Sequence, residues 1–220
     1  MATQTEQRLP LSRERILQAA LDVADTTGIE SLSMRKLGRV LGFEAMSLYN
    51  HVANKDDVLD GILDLVLAET QPPSPEGGWA AAIRESAISV HRALRRHPWA
   101  CSLLMTPGHI RPARLQYMDR LLGRLREAGF SPETTYHGYH VLDAHIFGFS
   151  LWQAGHADAS VDLRAMEAGV ERAIPSDEYP YLHEHGHQHL AEGPHREVSA
   201  FEVGLDLILD GLEKIRRTRG

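Results

Sequence analysis

Four side chains that can contact nucleic acid lie close together in the first quarter of the 220-residue chain. They are Ser47, Tyr49, His51 and Lys55. Their hydroxyl, imidazole and ammonium groups suit phosphate oxygens and base edges. Leu48 and Val52 are separated by about one helical turn, which indicates a helix with one apolar side. The pattern fits a helix that binds DNA, and it also fits the surface of many all-helical proteins, so the residues alone leave both interpretations open.

The histidine-rich stretch "HEHGHQH" at 183–189 is a second chemical motif. Its residues His183, Glu184 and His187 match H-E-x-x-H, in which two histidines bind zinc and the glutamate acts as a general base. Gly186 weakens a helix there by about 1 kcal/mol relative to alanine, and the rest of the longer metalloprotease motif does not follow. We therefore predict a solvated polar segment over 183–195 without metal, cofactor or enzyme activity, and keep a zinc-dependent hydrolase as the alternative.

The spacing of apolar residues predicts one helix after another and no convincing strand, so the predicted fold class is all-α. In the N-terminal part, three residues suit helix N-caps and two glycines suit helix ends. They are Ser12, Ser33 and Asn54, and Gly28 and Gly42. We also expect Asp57 to close a capping box on the helix that Asn54 begins.

Two short helices joined by a tight turn at Gly42-Phe43 form a predicted helix-turn-helix over about 34–53. The second helix, expected over about 44–52, is the one that would enter the major groove of DNA. A local positive strip is predicted beside it. The strip consists of Arg35, Lys36, Arg39 and Lys55.

The stretch "QPPSPEGG" at 71–78 is rich in helix-breaking residues and marks the predicted domain boundary. It separates an N-terminal three-helix helix-turn-helix domain at 10–70 from a C-terminal helical bundle at 79–217. The helices of the bundle are predicted over 79–96, from Trp99, and over 111–128, 132–155, 161–173 and 197–217.

Composition excludes several classes of protein. The net charge of −7 with neutral histidines argues against non-specific binding to nucleic acid or anionic membranes, and keeps open an all-α interaction module that does not bind DNA. Charged residues interrupt the apolar runs, so no membrane-spanning helix is predicted, and the N-terminus lacks the apolar core of a signal peptide. Cys101 is the single cysteine, which suits the cytoplasm, and we expect it to be an inert core residue.

The run "RERILQAALDVADTTGIESLSMRKLGRVLGFEAMSLYNHVANKDDVLDGIL" resembles the DNA-binding domain of tetracycline-repressor (TetR) family regulators. The part "LYNHVANKDDVL" is the most specific marker. Two later runs, "HPWACSLL" and "FEVGLDLILDGLE", resemble the C-terminal ligand-binding and dimerisation domain of that family more loosely.

This resemblance implies a homodimeric repressor that binds a palindromic operator and releases it when a small molecule enters the C-terminal domain. By position, Arg35, Ala45, Met46 and Ser47 would face bases or the groove floor, and Tyr49, His51 and Lys55 would contact the DNA backbone. Ala45 and Met46 stand where the tetracycline repressor has a long amide and a proline. We therefore expect a different operator.

The resemblance also implies a dimer interface and an effector pocket. The interface would join the last helix and the helix at 132–154 of both subunits, with packing inside one subunit as the alternative. Its predicted residues are Phe201, Gly204, Leu205, Ile208 and Leu212. The predicted pocket residues, each of which also suits a simple core, are His91, Met105, Tyr117, Leu121, His140, Phe147 and Trp152. Leu103 and Trp152 stand where the tetracycline sensor has a histidine and a glutamate, so we expect a largely apolar or aromatic effector other than tetracycline.

Overall fold

The computed structural model describes residues 10–106, 112–156, 169, 174–192 and 199–219, and its regular secondary structure is entirely helical there. The N-terminal helices are α1 (Arg13–Thr27), a 3-10 turn (Ile29–Ser31), α2 (Met34–Leu41), α3 (Ala45–Leu48) and α4 (Lys55–Ala68). The later helices are α5 (Trp79–Arg96), α6 (Pro98–Met105), α7 (Pro112–Glu127), α8 (Pro132–His156), α9 (Pro180–Glu192) and α10 (Ala200–Arg219). The all-α prediction is confirmed.

The predicted N-caps form as expected. Ser12 Oγ accepts a hydrogen bond from the backbone N–H of Arg15 at 3.3 Å, and Asn54 Oδ1 accepts one from Asp57 N–H at 2.8 Å. Ser33 caps α2 in the same way. The Asp57 carboxylate accepts from the N–H of Ala53 at 2.8 Å, one residue before the N-cap, so the expected capping box is shifted by one residue.

The turn between α2 and α3 depends on two glycines. Gly42 has φ 74°, a left-handed conformation that glycine adopts without steric cost. A Cβ on Gly38 would lie 2.8 Å from the carbonyl oxygen of Phe43, so α2 and the turn approach more closely than a side chain allows. The two short helices are therefore held at a fixed angle.

The second helix of this pair is shorter than predicted. Regular helix ends at Leu48, and hydrogen bonds from the N–H groups of His51 and Val52 to Leu48 O continue as turns. The expected range of 44–52 was too long because Asn54 must adopt an extended backbone to cap α4, so the chain leaves the helix early.

Buried side chains form one continuous core through both parts of the chain. In the N-terminal part α1 packs against α4, where the side chain of Leu17 lies against Gly61, and in the C-terminal part α5, α7 and α10 pack around α8. The stretch at 71–78 is not helical and lies between α4 and α5. The domain division there stays a prediction.

Two predictions concern the region after α8. The helix expected over 161–173 lies outside the described residues except for Gly169. The histidine-rich stretch forms α9, although Gly186 lies within it, because one glycine costs only about 1 kcal/mol and Pro180 suits the first helical position. Within the described ranges, no helix has the length and apolar character needed to cross a membrane.

Candidate nucleic-acid interface and buried polar core

The helix-turn-helix separates its apolar and polar sides as the sequence predicts. Leu48 and Val52 are 0% and 2% exposed and pack on the core of the N-terminal helices. Met46 is 75% exposed and Tyr49 44% exposed on the opposite side. Four predicted contact residues beside them are exposed or partly exposed, as is Ala45, which was predicted to face the groove. These four are Arg35, Ser47, His51 and Lys55.

Lys36 does not join the predicted positive strip. Its ammonium group donates to Thr27 Oγ1 at 2.7 Å and to Ser31 Oγ at 3.0 Å, so it is directed back at the end of α1 and the 3-10 turn. These two hydroxyl oxygens accept two of the three hydrogen bonds that the ammonium group can donate. The strip is therefore reduced to Arg35, Arg39 and Lys55, which are exposed.

An ion pair fixes the start of α4 against α1. The guanidinium of Arg13 donates to both carboxylate oxygens of Asp57, at 2.7 and 2.8 Å. These hydrogen bonds, with the one from Ala53 N–H, lower the pKa of Asp57. Because Asp57 also holds the backbone at Ala53, the pair positions the loop that presents His51 and the N-terminus of α4 at Lys55.

His97 connects the two parts of the chain. It is 6% exposed at the joint of α5 and α6, and its Nδ1 and Nε2 lie 2.8 Å from Asp25 Oδ1 on α1 and 3.1 Å from Glu69 Oε1 after α4. Trp99 Nε1 donates to the same Asp25 oxygen at 2.7 Å, and Arg96 pairs with Glu69. His97 and Trp99 therefore link α6 to α1 and to the end of α4.

The C-terminal helices enclose a polar centre next to apolar core residues. Arg114 Nη2 donates to Asp143 Oδ1 at 2.7 Å, and the guanidinium carbon lies 4.3 Å from the ring centroid of Phe147. The other terminal nitrogen, Arg114 Nη1, is buried without a hydrogen-bond partner, and the hydroxyl of Tyr117 is buried beside Ser86. Burial raises the pKa of Tyr117 to about 12.

His91 is part of an aromatic cluster that joins α5, α8 and α10. Its ring stacks on Phe201 with centroids 3.9 Å apart, and its Nδ1 lies 2.8 Å from Ser150 Oγ. His145 stacks on the same Phe201 ring at 4.9 Å. Burial lowers the pKa of His91 to about 4, so the ring is neutral at physiological pH. Its predicted pocket role remains untested, and its observed contacts are structural.

The other predicted pocket residues divide into two groups. Tyr117, Leu121 and Phe147 are buried on α7 and α8. Three others are exposed, with Met105 and Trp152 each 51% exposed, and the pocket role of all of them stays a prediction. These three are Met105, His140 and Trp152. The residues that α8 turns inward are Leu142, Ile146 and Phe147, which places His140 on its outer side.

The predicted dimer residues lie on the side of α10 that packs against its own subunit. Phe201 and Leu205 are 1% and 0% exposed within one subunit, and a partner cannot contact side chains that are already enclosed. Leu212 is 7% exposed, a Cβ on Gly204 would meet the ring of His145, and Ile208 is partly buried against the core. These contacts are the packing inside one subunit that was the alternative, and the role of this set in a dimer stays a prediction.

A different apolar surface stays open on α8 and α10. Its side chains are 39–70% exposed, and Leu207 at 70% is the most exposed of them. We call it the open face, and it consists of Tyr136, Val141, Leu151, Val203, Leu207 and Ile215. The open face is not evident from the sequence. Apolar residues occur on both sides of α10, so their periodicity does not show which side faces inward.

Two histidines of the candidate zinc motif lie next to each other on α9. His183 Nε2 and His187 Nε2 lie 3.3 Å apart, and Glu184 is exposed beside them. A catalytic zinc site needs three protein ligands and an open position. In the part of the chain that the structure describes, no group of three or more histidine, cysteine or acidic residues could hold a metal ion.

Cys101 is a core residue, as predicted. It is 0% exposed, and its Sγ donates to the carbonyl oxygen of Phe147 at 3.2 Å. Burial raises the pKa of its thiol to about 11, so the reactive thiolate is absent at neutral pH.

The exposed helix-turn-helix and the helical bundle behind it define a DNA-binding transcriptional regulator. Residues 71–216 match the family model described as tetracyclin repressor-like, C-terminal domain. The repressor DrrR1 of Streptomyces coeruleorubidus is 31% identical over 92% of this chain and 77% of its own length. The class D tetracycline repressor of Escherichia coli is 29% identical over 90% of this chain and 93% of its own. The chain belongs to the tetracycline-repressor family.

Solved structures agree with this family. ActR of Streptomyces coelicolor, in complex with actinorhodin, superposes with a TM-score of 0.73 and 29% sequence identity, covering 94% of this chain and 99% of ActR. The relatives named here are transcriptional regulators, and ActR shows a small molecule bound to this architecture.

Proposed function

We propose that this protein is a cytoplasmic, homodimeric repressor that binds a palindromic operator and releases it when a small molecule binds the C-terminal bundle. The observation that carries the proposal is the exposed side of α3 and of the turn after it, with Met46, Ser47 and Tyr49. Buried Leu48 and Val52 hold this segment on the core, and exposed cations flank it. Such a helix can read base edges in the major groove.

Individual roles follow from exposure and chemistry. Met46 and Ser47, with Ala45, lie where α3 would meet the groove floor, and a methionine suits contact with a thymine methyl group. Arg35 is a long donor that can bridge two acceptors on a guanine. Backbone phosphates would be met by Tyr49, His51 and Lys55, the last at the N-terminus of α4, where free N–H groups favour an anion.

Dimerisation supplies the second recognition helix. A palindrome is read only when two such helices lie about 34–36 Å apart, one turn of DNA. The side chains of the open face on α8 and α10 are apolar and exposed, and a two-fold interface requires a surface that can pair with a second copy of itself. We assign the dimer contact to this face in place of the one predicted from sequence.

Release follows from a shift between two states. A small molecule that favours a different arrangement of the bundle changes the spacing of the two recognition helices only if it binds that state more tightly. The His97 junction is the proposed route, because it joins the α5–α6 joint to Asp25 on α1 and Glu69 beyond α4. ActR, crystallised with actinorhodin, supports a bundle that accommodates a small molecule.

The proposal is tested by selecting duplexes from a random DNA pool with purified full-length protein and sequencing the bound fraction. We expect a palindromic consensus, with the two half-sites one DNA turn apart. Arg35→Ala should relax the preference at one position of each half-site, at a cost of about 1–3 kcal/mol. Lys214→Ala, an exposed cation on α10, is the matched control. An enriched pool without symmetry would refute dimeric operator reading.

A further inference from the structure

Two histidine rings on α9 face each other across a short gap. His183 Nε2 and His187 Nε2 lie 3.3 Å apart. The ring centroids are 4.4 Å apart and the ring planes are inclined at 61°, so the rings spread apart behind the two nitrogens and are not stacked. The nitrogens are therefore the facing edges of the pair. The repressor function proposed above makes no use of this arrangement.

The helix itself brings the two rings together. α9 spans Pro180–Glu192, and side chains four positions apart in a helix lie on the same face, one turn from each other. The helix continues through Gly186, so the two histidines keep this spacing. Both rings are only partly buried, and an ion in solvent can reach their nitrogens.

The separation of the two nitrogens matches two ligands on one metal ion. It is at the long end for a hydrogen bond, since N–H donors in proteins lie about 2.7–3.2 Å from oxygen acceptors. Two imidazole nitrogens on a tetrahedral zinc ion, each about 2.0–2.1 Å from the metal, lie about 3.3–3.4 Å apart. Neighbouring ligands on an octahedral or square-planar ion at the same bond length would lie only about 2.9 Å apart.

The chemistry of the pair also favours zinc. Imidazole nitrogen suits zinc and other late first-row metals, whereas magnesium and calcium prefer oxygen ligands. In the described part of the chain no third histidine, cysteine or acidic group joins the pair to form a metal site. The protein therefore offers two ligands, one fewer than a catalytic zinc site needs.

We infer that His183 and His187 form a two-ligand zinc site, in which both Nε2 atoms coordinate one Zn²⁺ ion and water fills the remaining positions. For these two residues the inference replaces the prediction of a segment without metal. The ion joins two successive turns of α9. A helix of 13 residues is marginal by itself in water, so bound zinc stabilises it. The site does not depend on the proposed operator binding.

Isothermal titration calorimetry of the full-length protein with zinc chloride, after treatment with EDTA and dialysis, tests the inference. We expect a zinc ion to bind with a dissociation constant on the order of 1–100 µM, weaker than in structural sites with four protein ligands. Magnesium chloride under the same conditions should give no binding at this site, because the pair offers it no oxygen ligand.

Variants assign the zinc ion to the pair. His183→Ala and His187→Ala should each weaken its binding about 10-fold or more, since losing even a group that only supports a metal ligand costs about 10–100-fold. The double variant should bind zinc no more weakly than either single variant, because the two rings act as one unit. His137→Ala removes an exposed histidine on α8 and is the matched control. Circular dichroism checks that all variants are folded.

Hydrogen exchange supplies a second measurement that locates the ion. Zinc should slow amide exchange in α9 of the wild-type protein and of His137→Ala, and should not slow it in His183→Ala or His187→Ala. Zinc bound to other histidines would leave exchange in α9 unchanged.

Four results would each overturn the inference. They are no zinc binding below about 1 mM, unchanged binding in either single variant, additive losses in the double variant, and exchange in α9 that zinc does not slow. Operator selection with the same protein is a separate measurement. A failure of the zinc site would leave the proposed repressor function as it stands.

Discussion

His97 lies 2.8 Å from Asp25 through Nδ1, and this contact joins the C-terminal helices to the first helix of the DNA-binding part. The other ring nitrogen faces Glu69 Oε1 at 3.1 Å. Each ring nitrogen therefore lies within hydrogen-bond distance of one carboxylate oxygen. Since Asp25 lies on α1 and Glu69 directly follows α4, one side chain links α1, the end of α4 and α6.

Replacing His97 should loosen this junction. In His97→Phe, the carboxylates of Asp25 and Glu69 lose a shared donor, and we expect the free energy of unfolding to fall by about 1–3 kcal/mol. Urea denaturation measures the change, and hydrogen exchange should become faster at the end of α4 and in α6. His140→Phe, at an exposed position, should change stability by less than about 0.5 kcal/mol. Equal stability of the two variants would show that the junction is not structural.

His91 should make the fold sensitive to acid. Its pKa is about 4 in the folded state and about 6.5 in the unfolded chain, so the unfolded chain gains a proton first as the pH falls. Stability is therefore complete above pH 6.5 and is lost between pH 6.5 and about 4, by about 3 kcal/mol for this group.

The measurement for His91 is urea denaturation at several pH values from 7.5 to 4.5. His91→Phe keeps the stacking on Phe201 and should flatten the profile relative to wild type, whereas His137→Phe, at an exposed position on α8, should follow the wild-type profile. Parallel profiles for wild type and His91→Phe would show that this ring does not control the acid sensitivity.

Because its side chain is directed elsewhere, Lys36 should differ from its neighbour Arg39 in its effect on operator binding. Lys36 is hydrogen-bonded to Thr27 and Ser31, so Lys36→Met should leave the salt dependence of operator binding unchanged. Arg39→Met should reduce the slope of log affinity against log salt by about one per subunit, if the exposed Arg39 meets a phosphate. Fluorescence anisotropy over a salt series distinguishes them. A reduced slope in Lys36→Met would show that its ammonium group turns to the DNA.

Leu207 should be a central dimer contact. It is 70% exposed in one subunit, and Leu207→Glu would bury a charge if the open face pairs with itself. We expect the dimer dissociation constant to rise by at least about 30-fold, roughly 2 kcal/mol, with the helical circular dichroism unchanged. Leu115→Glu changes a leucine that is 48% exposed on α7 and should leave the dimer intact. Sedimentation equilibrium reports both, and an intact Leu207→Glu dimer would exclude this face.

The features that the sequence predicts best are those set by neighbouring residues. The N-caps at Ser12, Ser33 and Asn54 depend on a side chain reaching an N–H two or three positions later, so the local chemistry determines them. The burial of Leu48 and Val52 likewise follows from their spacing of about one helical turn. For the same reason the exposed side of α3 was predicted correctly.

Features that depend on distant parts of the chain were missed. The carboxylates that face His97 lie 72 and 28 residues away, and no local pattern indicates them. Leu205 and Leu207 are two positions apart on a helix with apolar residues on both sides, so their opposite burial of 0% and 70% is decided by the helices that pack around α10. The ammonium group of Lys36 is directed away from the exposed cations by the hydroxyls of Thr27 and Ser31, at the end of α1 and in the 3-10 turn.

Sequence-specific reading by two α3 helices is best tested by anisotropy titration of two duplexes. One carries the selected palindrome and the other has one half-site scrambled, at equal length and composition. We predict two subunits per palindrome and a loss of affinity of about 1,000-fold or more for the scrambled duplex at 150 mM salt. Equal affinity for both duplexes would contradict dimeric operator recognition by this chain.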